Sequence, residues 1–190
     1  MARAPVRAGV RCGGPGVGYP PVAFGVAIAP MPSWDNFFVA QLGASAALTG
    51  LLFVGISINM TKIIGFPSLL TRALKALSLL VLILVVASLM LVPGQPPLWN
   101  GLEVLGTAIG GGTLVAYLTV RIRLTTAPEF YRTSDYEVVT VVAIAVLYVA
   151  AGYGITESDP WGNFLLVPAI VVSFLVAILD SWILLVEVNR

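Results

Sequence analysis

Five long stretches of this chain are almost wholly apolar, and the polar and charged residues fall between them. The first run is Phe37 to Ile58, which holds 22 residues without a charged side chain. That is enough to cross about 30 Å of hydrocarbon at ~1.5 Å rise per residue. The others are 73–92, 102–120, 138–155 and 164–186, and the prolines and most of the charges lie in the short pieces that join them. The second run ends at Pro93-Gly94, where a helix must stop. The pattern predicts an all-α integral membrane protein, a bundle of five transmembrane helices formed by residues 31–190. No sequence repeat is present, so an inverted-repeat transporter is not supported.

The first run is not uniformly greasy. At ~100° per residue, Gly43, Ala46, Ala47, Gly50 and Ser57 fall on one side, with Gln41, Ser45 and Thr49 nearly opposite. Phe37, Leu51 and Ile58 occupy the flank suited to lipid. Two non-lipid faces predict a helix packed on both sides, central in the bundle.

Composition strengthens the membrane reading and removes several chemistries. The chain is 58% hydrophobic and 10% charged, against ~25% charged in soluble domains. Histidine is absent and Cys12 is the single cysteine, which excludes an intramolecular disulfide and leaves no His/Cys set for zinc, haem or Cys-His catalysis. The net charge of +1, with no basic cluster interleaved with aromatics, gives no nucleic-acid signal. No cofactor or metal is expected, and no catalytic constellation appears.

The distribution of charge predicts an orientation. Lys62, Arg72, Lys75, Arg121, Arg123, Arg132 and Arg190 all lie at one end of the predicted helices. The segments VPGQPPLWNG and TESDPWGN at the other end carry no basic residue. Basic loops stay in the cytoplasm, so the N-terminus is expected outside and the C-terminus inside. Trp34, Trp99 and Trp161 then lie at the outer interface, where indole rings prefer to sit.

Residues 1–30 differ from the rest, combining arginine, glycine and proline without helical period. Three readings compete: a signal peptide with a short apolar core at 22–29, a disordered tail, and an overlong start with the natural chain beginning at Met31. The last is preferred, because Arg3, Arg7 and Arg11 are the basic residues that violate the orientation rule.

Asp180 stands out among the candidate sites, because an acid in hydrocarbon costs ~2.5–3.5 kcal/mol on insertion scales. Ala169, Ser173, Val176, Asp180, Leu184 and Glu187 share a face, so Asp180 should point into the bundle, roughly 24 Å down the helix from Phe164. Lys75, Arg121 and Asn59 lie at similar depth. The structural expectation is that Asp180 pairs with Lys75 or Arg121, and the functional one is proton or ion handling. Glu103 opens the third run, where a carboxylate favours the positive helix end. It shares a face with Gly106, Gly110, Thr113 and Tyr117, and Gly106-x-x-x-Gly110 predicts close approach of a neighbouring helix. A Gln41–Glu103 hydrogen bond is expected at the outer end, with Asn59 meeting the Asp180 region at the other. Asp35, Glu157 and Asp159 could join Glu103 in an acidic outer mouth, although solvated loop acids are commoner. Gly110-Gly111-Gly112 should admit a close helix or a bend rather than hold a phosphate.

Trp34 to Val54, followed by Ser57-Ile58-Asn59, resembles the opening W-[DE]-N-F-F-V-A-Q-x-G-A-S-A-A-L-T-G-L-L-F-V…S-I-N of a family of small bacterial multi-spanning membrane proteins of uncharacterised activity. The likeness continues loosely through Leu91-Val92-Pro93-Gly94-Gln95 and Leu184-Leu185-Val186-Glu187. Some members carry a label as modulators of a membrane-anchored AAA protease. The resemblance implies a bacterial inner-membrane location and carries over no functional residue.

The expected function is therefore non-enzymatic: a scaffold, regulator or accessory subunit of a membrane complex. Its partners would be the lipid bilayer and another membrane protein or further copies of the chain. The alternative is a small oligomeric channel or transporter with Asp180, Glu103 and Gln41 on a polar path.

Overall fold

The computed structural model describes residues 34–125 and 131–188, all helices and short turns. The N-terminal stretch 1–30, with its three competing readings, lies outside the described residues. Six helices follow in order: α1 (Trp34–Ile58), α2 (Met60–Gly65), α3 (Pro67–Leu89), α4 (Pro97–Thr125), α5 (Tyr131–Thr156) and α6 (Trp161–Val188). All but α2 are long and apolar enough to cross a membrane. Each of the five predicted runs is one of these helices. Most of the helices run past their apolar runs, because the flanking polar residues continue the backbone hydrogen bonding at helix ends.

Local chemistry accounts for the breaks. Asn59 interrupts the first helix and turns its side chain back, Nδ2 donating to the Gly55 carbonyl at 3.0 Å. The short α2 then packs Ile63 against Ala73 of α3 and Leu184 of α6. Pro67 starts α3, where its missing N–H costs nothing. The third helix stops at Leu89, three residues before the end of its apolar run, and Gly94 takes φ +73 in the turn beyond.

α3, α4, α5 and α6 form a ring in which each packs on the next and α6 closes on α3. α1 lies outside the ring against α3. This reverses the central placement expected for α1. Phe38 and Ser45 are its buried residues, while Gly43, Ala46, Ala47 and Gly50 are exposed. The polar side chains that suggested a second packed face are satisfied locally: Ser45 Oγ donates to the Leu42 carbonyl and Thr49 Oγ1 to that of Ser45. The central helix is α3, whose Ala76, Leu79, Ile83, Val86 and Ala87 are fully buried.

At the end holding Trp34, α1 is fastened by aromatic contacts. Trp34 meets Phe164 of α6 edge-on at 5.0 Å, and Phe37, edge-on, and Phe38, tilted, pack beside it. The ring is tightest there as well. A Cβ on Gly101 would strike the side chain of Thr156 and lie 2.5 Å from its backbone nitrogen, and one on Gly162 would lie 2.6 Å from the nitrogen of Ile155. α4 meets α5, and α5 meets α6, with almost no side chain between them. The expected Gly106–Gly110 approach does not occur among the described residues: both glycines are exposed, with open space where a Cβ would go. In the triple-glycine segment, Gly111 faces Leu82 of α3 and Gly112 faces Ala145 of α5, while α4 remains one helix throughout.

Candidate functional site: a buried ring of four charges

At the opposite end of the bundle, three helices converge on four charged side chains. Arg72 and Lys75 are three residues apart on α3 and therefore lie on one face, a turn apart. Glu137 opens the buried face of α5 that continues through Val141, Ile144 and Tyr148. Asp180 lies on α6 in line with Ala169, Ser173 and Leu184, all buried. The inward face predicted for Asp180 is the one observed; the side chain of Glu187 lies outside the described set.

The charges alternate around a closed ring. Arg72 Nη1 lies 2.9 Å from Glu137 Oε1 and 3.4 Å from Asp180 Oδ1. Lys75 Nζ lies 3.0 Å from Asp180 Oδ2 and 3.4 Å from Glu137 Oε2. Each carboxylate thus gives one oxygen to each cation, and the four formal charges cancel. The Lys75–Asp180 contact is one of charge rather than an aligned hydrogen bond, since Asp180 Oδ2 has no hydrogen-bond donor among the described residues. Lys75 and Asp180 are the inner pair, with side chains 1% and 5% exposed, while Arg72 and Glu137, at 17% and 16%, face the bundle end. Arg72 and Glu137 cover a pair that has almost no contact with solvent.

The expected partner Lys75 is thus present and Arg121 is not. Arg121 is exposed near the end of α4, its guanidinium 5.8 Å from the Tyr117 ring centroid. Arg72 and Glu137 were missed as site residues. Glu137 lies one position before the fourth apolar run, where it reads as a loop acid. Its spacing of four, seven and eleven residues from Val141, Ile144 and Tyr148 was the available signal, because that is one helical face. Asn59 does not bond to Asp180; it lines a groove opposite Ser181, one residue further along α6.

The outer polar residues form a separate set. Glu103 Oε1 accepts from Gln95 Nε2 at 2.9 Å, so the expected Gln41–Glu103 bond is replaced by one within the loop and first turns of α4. Gln41 is on α1, whose main packing partner is α3. Asp35, Glu157 and Asp159 are exposed, and Asp159 Oδ2 accepts from Trp161 Nε1 at 3.0 Å. No group of three or more His, Cys, Asp or Glu side chains that could hold a metal ion occurs among the described residues, so these acids and Glu103 form no such cluster.

Between the two ends the interior is filled. Leu79, Ile83, Val86, Val104, Ile144 and Ile170 are each at most 4% exposed. A void of about 10 Å³ beside Tyr148 is apolar in its walls and has room for at most one water. Among the described residues, apolar packing thus lies between Asp180 and the end that holds Gln41 and Glu103. Compared with known protein families, characterised proteins and solved structures, the chain finds no match.

Proposed function

We propose that this chain is a multi-pass protein of the bacterial inner membrane, without catalytic activity of its own, that serves as a scaffold or regulatory subunit of a larger membrane complex. The observation that carries this reading is the pairing of a neutral ring of charges with a filled core. The four charged side chains at one end of the bundle are paired with one another, and apolar packing separates them from the polar residues at the other end. α1, by contrast, presents a long exposed face of glycine and alanine, a composition that favours close packing with another helix in a bilayer. The channel alternative would need a polar path, and no observation here favours one within a single chain.

The test is purification from native membranes in mild detergent. A foreign membrane subunit should co-purify in fixed ratio, and the resemblance of the opening segment makes a membrane-anchored AAA protease the first partner to look for. A homo-oligomer that passes cations in proteoliposomes, with flux lost in Asp180→Asn, would replace this reading with the alternative.

The orientation proposed with it has the ring of charges on the cytoplasmic side. Lys62, Arg72, Lys75, Arg121 and Arg123 all lie at that end, whereas the tryptophan end carries acids and no basic residue among the described residues. A reporter active only in the cytoplasm, fused after Arg190, is expected to be active, and the same reporter inserted at Gly94 silent. The opposite pattern would invert the topology.

A further inference from the structure

Among the described residues, six side-chain oxygens are buried without a hydrogen-bond donor. Four of them, Gln95 Oε1, Asn100 Oδ1, Glu103 Oε2 and Asn163 Oδ1, belong to the tryptophan end of the bundle. Buried polar atoms are ordinarily satisfied, and all four of these are acceptors, so the group that would satisfy them brings positive charge or donors. Three of the four come from the nine residues Gln95 to Glu103. We propose that Glu103 Oε2, Gln95 Oε1 and Asn100 Oδ1 hold a calcium ion at this end, with water completing its shell.

The local fold draws the three side chains together. Gln95 Nε2 donates to Glu103 Oε1 at 2.9 Å, which fastens the amide to the carboxylate and leaves the second oxygen of each for another partner. Asn100 lies three residues before Glu103 on α4, where side chains are neighbours on one face. Pro96 and Pro97 sit between Gln95 and Asn100 and restrict the connecting backbone, so little freedom remains to be lost on binding. Asn100 stands one turn from Val104, and Asn163 one turn from Leu166, and those two apolar side chains belong to one core cluster. The orphaned oxygens therefore lie where the packed interior meets the bundle end.

Charge and donor chemistry select the ion. The described basic residues all lie at the opposite end, so none neutralises Glu103. Nor does the helix end, whose field falls off within the first turn: Glu103 is the seventh residue of α4, and that first turn holds no acid. The acids of this end make no metal cluster by themselves; the two amide oxygens are what completes a site around one of them. Oxygen donors without histidine or cysteine suit a hard cation. Calcium accepts carboxylate, amide and water oxygens in an irregular shell of about six to eight, whereas magnesium demands a near-ideal octahedron and gives up its water reluctantly. A single carboxylate among neutral donors places the affinity in the weak range, about 0.1–1 mM.

The experiment uses the full chain in detergent after treatment with a chelator. Tb³⁺, a luminescent stand-in for calcium, should be sensitised by the indole of Trp99, next to Asn100, and displaced by calcium. Calcium at ten times its Kd should raise the unfolding temperature by about 3–6 °C. Glu103→Gln keeps an acceptor for the Gln95 amide and should weaken calcium binding at least about tenfold without changing stability in chelator. Asn100→Asp adds a second carboxylate and should tighten binding about tenfold. Asp159→Asn, in the exposed loop, should leave binding as in wild type. The proposal is overturned if calcium neither displaces Tb³⁺ nor stabilises wild type, the outcome if the Asn100 amide turns its nitrogen to Glu103 and supplies the donor itself. Wild-type binding in Glu103→Gln, or loss of binding in Asp159→Asn, overturns it as well. Equal stabilisation by sodium chloride at matched ionic strength would give the oxygens to a monovalent ion and refute calcium.

Discussion

Asp180→Leu is expected to destabilise the bundle by about 3–5 kcal/mol, and Lys75→Met added to it should restore most of that loss. The asymmetry follows from the ring of charges. Removing Asp180 leaves Arg72 and Lys75 facing Glu137 alone, a net positive charge at a place where the Lys75 side chain is 1% exposed. Lysine cannot reach water from there without opening the α3–α6 contact. Removing both members of the inner pair leaves the Arg72–Glu137 bridge at 2.9 Å, neutral and partly exposed at the bundle end, over two apolar side chains. Replacing a buried ion pair with apolar residues of similar volume is often neutral or stabilising, whereas removing one partner is not. Asp180→Asn should behave like Asp180→Leu, because it preserves shape and removes the charge. Denaturant or thermal unfolding in detergent micelles reads all three. A stable Asp180→Leu protein, or a double variant no better than the single, would show that the ring does not hold the helices together.

How much of this could be read from residues alone depends on what kind of signal each feature leaves. The five long helices were legible because length and apolarity suffice to find a span. That Asp180 faces inward was legible too, and Lys75 was one of the two partners expected for it, since an acid in a span has few alternatives. The placement of α1 was not. A helical wheel shows which faces differ, but glycine and alanine on a face fit open space within the chain as well as a neighbouring helix. α3 gave no cue in the other direction. Beyond Arg72 and Lys75 near its start, its Leu/Val/Ala sequence is apolar almost all round, and in a membrane such a helix can face lipid or protein on any side. Glu137 escaped for a related reason: a span drawn from hydropathy stops at the first charge, although the helix and its buried face continue. Arg72 and Lys75 together call for two acids, and only one had been found.

Gly162→Ala is expected to cost more than any alanine substitution on the exposed glycines, about 1–3 kcal/mol or beyond, although it adds one methyl group. The new Cβ would lie 2.6 Å from the Ile155 nitrogen and 2.8 Å from the Gly154 carbonyl carbon, both backbone atoms that no rotamer change can move. α5 and α6 would have to separate at the point where their backbones touch, and Leu166 and Ile170, both fully buried a turn or two further along α6, would be drawn out of the core. Gly101→Ala should act alike on the α4–α5 contact, through Thr156 and the Gly152 carbonyl oxygen at 2.8 Å. Gly106→Ala and Gly110→Ala are expected to be neutral or stabilising by up to about 1 kcal/mol, because their Cβ positions are open and alanine is the better helix former. The comparison separates two uses of glycine that look identical in the sequence. In detergent, Gly162→Ala and Gly101→Ala should unfold at lower denaturant than wild type, and the Gly106 and Gly110 variants at the same or higher. In native membranes the exposed pair acquires a second meaning: if a partner helix docks there, Gly106→Ala should weaken co-purification while leaving the isolated chain as stable as before. Loss of stability in Gly106→Ala would show instead that α4 uses this face within its own bundle.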